Sequence, residues 1–115
     1  MRTFSVLSSN LVGIIPASIF NMSKLQYLHL ANNSLTGTLP ENLCDNLPKI
    51  EFLYLIKNQL YGQIPSNIGK CSSLRELSLA RNGFTGFIPQ EFGNLTILEG
   101  LDISVNHLIG KSRKS

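Results

Sequence analysis

The sequence contains few of the residues that build metal and redox sites. Its 115 residues include no Trp, two Cys, two Met and two His. The histidines, His29 and His107, lie far apart in the chain, and the cysteines, Cys44 and Cys71, lack the spacing of C-x-x-C or zinc-finger ligands. The H-E-x-x-H, G-x-S-x-G and Walker motifs are also missing. We therefore expect no metal site, no cofactor and no enzymatic activity.

The chain also lacks an excess of charge of one sign over residues 1–110. The formal net charge is +3, but residues 1–110 hold seven basic and seven acidic side chains, and the excess lies in a basic tail at 111–115. A neutral body with a short basic tail does not resemble the surface of a nucleic-acid-binding protein. Nucleic acid is therefore not expected as a partner.

No apolar run is long enough to span a membrane, which takes about 20 predominantly apolar residues. The run at 11–15 has the character of a signal-peptide centre, but polar residues at 8–10 interrupt it and Pro16 ends it. We expect neither a membrane segment nor a clear signal peptide. Hydrophobic residues at 43% and charged residues at 15% instead predict one folded domain.

What the sequence does contain is an internal repeat. Glycines recur every 24 or 25 residues, at Gly13, Gly37, Gly62, Gly86 and Gly110. A proline follows the first four of them by three residues, and an asparagine precedes the last four by four residues. An L-x-L pair lies ahead of the asparagine. The segment at 74–95, LRELSLARNGFTGFIPQEFGNL, shows the pattern most clearly.

The repeat predicts a solenoid whose coils stack side by side. An L-x-L alternation has the period of a short strand with one inward face, so repetition stacks parallel strands about 4.8 Å apart. We expect about four and a half coils, near 1–24, 25–49, 50–73, 74–97 and 98–110. An asparagine ladder should satisfy backbone groups where each coil turns away from its strand. Its members are Asn33, Asn58, Asn82 and Asn106.

These motifs resemble leucine-rich repeat proteins of the plant extracellular type. The segments LVGIIP at 11–16, LTGTLP at 35–40, LYGQIP at 60–65 and FTGFIP at 84–89 carry the resemblance, which covers residues 3–110. It implies an α/β-type, right-handed leucine-rich repeat solenoid. A parallel β-sheet would line the concave face, and the convex side would be mostly β and irregular.

The resemblance also implies a function. It points to a non-catalytic, ligand-sensing ectodomain of a plant receptor-like kinase or receptor-like protein, in signalling or defence. In that family the module lies at the extracellular face of the plasma membrane or in the apoplast. The alternative is an enzyme inhibitor similar to the polygalacturonase-inhibiting proteins, which share the repeat.

The sequence departs from the family at both ends. A signal peptide, paired-cysteine caps, a membrane helix and a kinase domain are not seen, and after Gly110 the sequence Lys111-Ser112-Arg113 replaces the expected x-Ile-Pro. We therefore hypothesise a fragment of a longer receptor, or a truncated product without independent function.

The two cysteines are expected to remain unpaired. Cys71 takes the inner position that Met22, Leu47 and Leu95 hold in other coils, so it should be a small buried hydrophobe. Cys44 should lie on the convex side in a different column. The sequence therefore predicts no disulfide between them.

Three N-x-[ST] sequons begin at Asn21, Asn32 and Asn94. Glycosylation in a secretory compartment is one interpretation of these sites. The other is that the repeat itself favours such triplets. Both remain open for Asn21 and Asn94, and the repeat explanation is favoured for Asn32.

The outward strand positions of successive coils predict a ligand-binding concave face. Its members are Tyr27, His29, Phe52, Tyr54, Ile56, Lys57, Glu76, Arg81 and Asp102. Aromatic side chains with a charged rim are typical of protein and peptide sites. The plainer alternative is that the aromatic side chains only stabilise adjacent strands. We expect a protein or peptide ligand and, as in the resembled receptors, a co-receptor.

Overall fold

The computed structural model describes residues 2–5 and 12–110. The expected basic tail at 111–115 and residues 6–11 of the expected first coil lie outside the described residues. The described strands are β1 (Thr3–Ser5), β2 (Val12–Ile14), β3 (Tyr27–His29), β4 (Ser34–Gly37), β5 (Phe52–Tyr54), β6 (Gln59–Gln63), β7 (Glu76–Ser78), β8 (Gly83–Thr85) and β9 (Gly100–Asp102). The far side carries the helix α1 (Leu43–Asn46) and 3₁₀ turns at Ile19–Asn21, Ser66–Lys70 and Gln90–Asn94.

The L-x-L segments form a parallel sheet, as the sequence predicts. Its order is β1-β3-β5-β7-β9, so each strand pairs with the strand one coil away. The central leucines, Leu28, Leu53 and Leu77, are 0%, 0% and 1% exposed. Because side chains alternate across a strand, the residues on either side of each leucine point away from the core. The predicted solenoid with a parallel strand face is confirmed.

The core is one cluster of apolar side chains inside the coils, to which each covered coil contributes several positions. Leucines of neighbouring coils stack on one another, and Phe84 fills a leucine position while remaining fully buried. Leu101, in the edge strand β9, is 42% exposed, whereas its counterpart Leu77 is 1% exposed. A coil therefore buries its leucines only where a neighbouring coil covers them.

A second parallel sheet follows the first around each coil, in the order β2-β4-β6-β8. The sequence predicts further β structure but not this pairing. Gly62 lies in β6 with a φ of +83°, and a Cβ there would lie 2.9 Å from Cγ2 of Thr38. At this position glycine thus meets two needs, a left-handed backbone and a close approach between coils.

The proline that recurs in the repeat has a direct structural role. The carbonyls of Pro16, Pro65 and Pro89 accept the backbone N–H three residues later, at 3.0, 3.0 and 3.3 Å. Proline fixes φ and has no N–H of its own, which suits the start of a helical turn. Each proline therefore begins the turn that closes its coil.

The prediction of unpaired cysteines is wrong. Cys44 and Cys71 form a disulfide with a Cα–Cα distance of 5.0 Å, and no free cysteine is present among the described residues. Both residues are buried, as 3% and 0% exposure show. The bond joins α1 of the second coil to the end of the 3₁₀ turn of the third. A cross-link closing a loop of this size stabilises a fold by about 3–4 kcal/mol in the chain-entropy model.

The repeat places the two cysteines in separate columns, but α1 brings them together. Cys44 and Leu47 are three residues apart, and α1 places residues at this spacing on one face. Leu47 is the counterpart of Cys71 in the preceding coil, so the helix brings Cys44 beside the column that contains Cys71. The backbone N–H of Cys44 also donates to Oδ1 of Asn67 in the next coil, at 2.6 Å. The helix is thereby held against its neighbour.

Candidate ligand-binding face

The strand register aligns the outward side chains in two columns. One column runs through Thr3, Tyr27, Phe52, Glu76 and Gly100, and the other through Ser5, His29, Tyr54, Ser78 and Asp102. Residues in one column are direct cross-strand partners and lie within side-chain reach of one another. The face is therefore built from positions that the backbone pairing fixes.

Four rings from β3 and β5 form one cluster, which we call the aromatic cluster: Tyr27, His29, Phe52 and Tyr54. The ring centroids of Tyr27 lie 5.9 Å from Phe52 and 5.8 Å from Tyr54. Those of His29 and Tyr54 lie 4.9 Å apart. All four side chains are half-buried. The rings thus support one another and still offer part of their surface to solvent.

The two tyrosine hydroxyls of the aromatic cluster contact His29 and Glu76. The hydroxyl of Tyr27 lies 3.3 Å from Nδ1 of His29. Burial lowers the pKa of His29 below its ordinary value of 6.5, so the ring is neutral at neutral pH. The hydroxyl of Tyr54 donates to Oε1 of Glu76. Burial first, and then Glu76, raise the pKa of Tyr54 to about 12.

Charged residues border the face at the carboxyl ends of the strands. Lys57 and Arg81 are exposed and both have a φ of +59°. Their backbone N–H groups donate to the carbonyls of Ala80 and Ser104 in the next coil, at 2.9 and 3.0 Å. The half-buried Ile56 precedes Lys57. These three residues lie at the strand ends, beside the aromatic cluster rather than within it.

Asp102 lies in the edge strand with its charge stabilised locally. The hydroxyl and backbone N–H of Ser104 donate to Oδ1 of Asp102 at 2.6 and 3.0 Å. These bonds, with a smaller contribution from Arg81, hold the pKa of Asp102 below its usual range. Asp102 is therefore a carboxylate throughout the physiological pH range.

A third line of polar residues, not predicted from the sequence, lies immediately before the strands. Nε2 of Gln26 donates to Glu51 at 2.9 Å, and Arg75 forms an ion pair with Glu99 at 2.9 Å. The ion pair is exposed, with side chains 47% and 59% accessible, so it adds little stability. The register of the repeat already aligns these four positions, and that signal could have identified them.

The asparagine ladder lies under the face and bridges neighbouring coils. Nδ2 of Asn82 donates to the carbonyl of Leu55 at 2.8 Å, and Oδ1 of Asn82 accepts the N–H of Leu60 at 3.1 Å. Asn58 makes the same pair of bonds with Leu30 and Leu35. Asn106 does so with Leu79 and Phe84, and Nδ2 of Asn33 donates to Ala31. These amides fix the turn that ends each strand.

The three sequon asparagines are all exposed. Asn21 and Asn94 each end a 3₁₀ turn on the far side of the coil, away from the aromatic cluster. Asn32 follows β3 with a φ of 58°, a conformation that asparagine tolerates. Glycosylation at these sites remains a prediction.

The part of the chain that the structure describes comprises residues 2–5 and 12–110. No group of three or more His, Cys, Asp or Glu side chains is arranged to hold a metal ion there. No helix in that part of the chain is long and apolar enough to cross a membrane.

Two family models match the sequence. One, described as leucine rich repeat, matches residues 1–60, and a second of the same description matches residues 73–95. No curated protein matches the chain significantly.

Solved structures of plant receptor ectodomains are similar to the chain. The BIR2 ectodomain from Arabidopsis thaliana is 38% identical with a TM-score of 0.86, over 90% of this chain and 54% of its own length. The leucine-rich repeat ectodomain of the Arabidopsis thaliana receptor kinase SOBIR1 is 36% identical with a TM-score of 0.83, over 90% of this chain and 55% of its own.

A third similar structure contains a ligand. The Arabidopsis receptor kinase HAESA, in complex with the peptide hormone IDA and the co-receptor SERK1, is 34% identical with a TM-score of 0.89. The match covers 94% of this chain and 18% of the HAESA chain. The chain therefore spans about half the length of BIR2 and SOBIR1 and a smaller part of HAESA.

Proposed function

The chain belongs to the leucine-rich repeat family, with repeats of the plant extracellular type, and on this basis we propose that it binds a peptide or protein ligand on its concave face without catalysis. The ligand would lie across β3, β5 and β7 and contact the aromatic cluster. Such a module would serve as the ligand-sensing part of a receptor in plant signalling or defence.

One observation carries this proposal: four half-buried rings are clustered on the outward side of two paired strands. Aromatic side chains that pack against each other while keeping exposed surface are the usual anchors of protein interfaces. Because neighbouring coils fix their spacing, little ordering entropy is lost on binding. We therefore favour a ligand-binding role over cross-strand stabilisation alone.

The similar structures support a peptide and a co-receptor as partners. HAESA was solved with a peptide hormone and a co-receptor. This chain is 34% identical to a part of HAESA. By analogy, we propose that a peptide bound on this face would bring a co-receptor alongside. The analogy covers fold and surface, and residue-level contacts are not carried over.

We also propose that the chain functions outside the cell, at the plasma membrane or in the apoplast. The buried Cys44–Cys71 disulfide supports this, because disulfides persist in secretory and extracellular compartments and are rare in the cytosol. The exposed sequons at Asn21 and Asn94 would then be available for glycosylation.

A display experiment tests the proposed function. Random peptides displayed on phage are selected on the disulfide-bonded chain, and binders are measured against Tyr54→Ala and Phe52→Ala. We expect these variants to lose roughly tenfold or more in affinity, because truncating a central aromatic anchor costs about 2 kcal/mol. The matched control is Tyr61→Ala, which removes a 54% exposed tyrosine of the second sheet.

The Tyr61→Ala control shows which sheet the selected peptides bind. Binders that lose affinity for Tyr61→Ala but not for Tyr54→Ala would place the interaction on the second sheet and overturn the proposal. A selection that yields no binder to the folded chain would also count against it. Far-UV circular dichroism and a melting curve for every variant verify that the fold is retained.

A further inference from the structure

The outward surface of β7 and β9 differs from that of β3 and β5. The first column carries Tyr27 and Phe52 on the earlier strands, then Glu76, and finally Gly100 in β9. A Cβ at Gly100 would meet Cγ and Cδ of Glu76 at 3.5 and 3.8 Å, which is ordinary contact. Because residue 100 has no side chain, a space the size of a methyl group remains beside Glu76, and we call this space the gap.

Ser78 and Asp102 are paired across the same two strands, next to this gap. We call the group of Glu76, Ser78, Gly100 and Asp102 the acidic notch. Asp102 is exposed and Glu76 is half-buried, and both side chains lie on the outward face. Tyr54 and Phe52, the partners of Ser78 and Glu76 on β5, border the notch on its other side.

An unpartnered polar atom lies on the floor of the notch. Ser78 is 7% exposed, and its Oγ is buried without any hydrogen-bond partner among the described residues. Its neighbour Leu77 points into the core, so strand alternation directs the serine hydroxyl to the outward face. A buried hydroxyl without a partner is uncommon in native proteins and calls for an explanation. A ligand group that enters the notch would supply the missing partner.

The two carboxylates also keep free acceptors. The hydroxyl of Tyr54 reaches Oε1 of Glu76, and both bonds from Ser104 reach Oδ1 of Asp102. Within the described ranges, Oε2 of Glu76 and Oδ2 of Asp102 accept no hydrogen bond, and the ion pair found there joins Arg75 to Glu99. Neither notch carboxylate therefore has a cationic side chain bonded to it.

We propose that the acidic notch binds the guanidinium group of an arginine in a peptide ligand. The planar guanidinium carries five N–H donors, so it can bond two carboxylates and a hydroxyl at once. Its face can also stack on an aromatic ring such as that of Tyr54, which an ammonium group cannot match as well. This inference rests on the proposed peptide-binding function and specifies one side chain of the ligand.

The positive charge of Arg81 should weaken the binding of an arginine in the notch, so a variant without that charge provides an independent test. Arg81 is exposed and acts on Asp102 without forming an ion pair with it. A second guanidinium entering the notch would be repelled by that charge. Removing the charge of Arg81 should therefore strengthen arginine binding, whereas removing the charge of Glu76 should weaken it.

The test is an NMR titration of the whole disulfide-bonded chain with N-acetyl-arginine amide. The matched probe is N-acetyl-citrulline amide, which has nearly the same shape but no charge. We expect arginine amide to shift the amide signals of Ser78, Gly100 and Asp102 in a saturable way, and citrulline amide to shift them far less. Equal shifts with both probes, or shifts that avoid these residues, would overturn the proposal.

Variants separate a binding role from a structural one. Glu76→Gln should weaken arginine-amide binding roughly tenfold, as the loss of one charge-assisted hydrogen bond implies. Ser78→Ala should weaken it about threefold without lowering the melting temperature, because it removes an unsatisfied group. Arg81→Gln should strengthen binding about threefold. Glu41→Gln, an exposed acid outside the face, is the control and should change nothing.

The same probes distinguish the failure of this inference from the failure of the proposed function. If displayed peptides bind through Tyr54 and Phe52 but carry no arginine, and arginine amide does not bind, only the notch assignment is wrong. If no peptide binds while arginine amide saturates the notch, the notch assignment survives and the peptide-binding function fails.

Discussion

At the scale of the residue, Tyr54 connects the two halves of the candidate face. Its ring contacts Tyr27 and His29, and its hydroxyl donates to Glu76 in the next coil. The hydrogen bond is possible only while the phenol keeps its proton. The protonation state of one side chain is therefore coupled to the arrangement of the face.

The first prediction concerns alkaline pH. Tyr54 has a pKa of about 12 in the folded chain, against an ordinary value of 10.0. As the pH rises above 10, the unfolded chain loses this proton before the folded chain does, so stability present below pH 10 is lost towards pH 12. Titrating tyrosinate absorbance should show a late step that Tyr54→Phe removes. A late step that persists in Tyr54→Phe would contradict this assignment.

The second prediction concerns the asparagine ladder. Asn82→Ala removes the donors to Leu55 and Leu79 and the acceptor of the Leu60 N–H, leaving backbone groups unpaired inside the coil. We expect a loss of about 2–4 kcal/mol in the free energy of unfolding, since each unpaired buried group costs about 1–3 kcal/mol. Urea denaturation measures the change.

The matched control for Asn82 is Asn94→Ala, at an exposed asparagine of the neighbouring 3₁₀ turn. It should change the unfolding free energy by less than about 0.5 kcal/mol, as is usual for surface positions. Equal effects of the two substitutions would mean that the ladder bonds contribute no special stability.

At the scale of the element, the two sheets impose different demands on the sequence. Strands of the first sheet need only alternating leucines, whose inward period is visible in L-x-L. Strands of the second sheet, such as β6, also need a glycine with a positive φ where two coils approach closely. This element is therefore more sensitive to a single methyl group than the first sheet is.

The third prediction concerns the need for glycine at residue 62 in β6. Gly62→Ala places a Cβ 2.9 Å from Cγ2 of Thr38 at a backbone φ of +83°. Strain and contact together should destabilise the chain by about 1–3 kcal/mol, measured as a lower midpoint in urea. Gly93→Ala, where a Cβ would meet nothing within 4 Å, is the control and should be neutral or slightly stabilising. A neutral Gly62→Ala would argue against the close packing of β4 and β6.

The elements also show why part of the structure was predictable from sequence. The first sheet and its register followed from the spacing of leucines, because every coil repeats one alternation. The second sheet could not be predicted in this way, because its strands share their residues with the turn and show no alternation of apolar and polar residues. The Cys44–Cys71 disulfide was missed because α1 occurs only in the 25-residue coil, and the repeat offers no precedent for its geometry.

At the scale of the whole molecule, each coil gains its stability from its neighbours. Leu101 at the edge is 42% exposed where Leu77 is 1% exposed, so a leucine-rich coil is complete only when covered. The same stacking aligns outward side chains at strand spacing and creates a face that no single coil contains. The proposed binding is thus a property of the stack of coils rather than of one coil.

The sequence could predict which residues share that face but not how they interact. Columns followed from the repeat, and they placed Tyr27 beside Phe52 and His29 beside Tyr54. The bond from Tyr54 to Glu76, the orphan hydroxyl of Ser78 and the gap at Gly100 depend on side-chain directions and burial. Periodicity does not contain that information, so the acidic notch emerged only from the structure.

Photo-cross-linking tests most directly whether a peptide binds on the concave face. A selected peptide carrying a photoreactive phenylalanine analogue is bound to the disulfide-bonded chain and irradiated, and the adducts are located by mass spectrometry. A concave binding face predicts adducts within Tyr27–His29, Phe52–Tyr54 and Glu76–Ser78. Adducts concentrated in Val12–Ile14, Gln59–Gln63 and Gly83–Thr85 of the second sheet would contradict it.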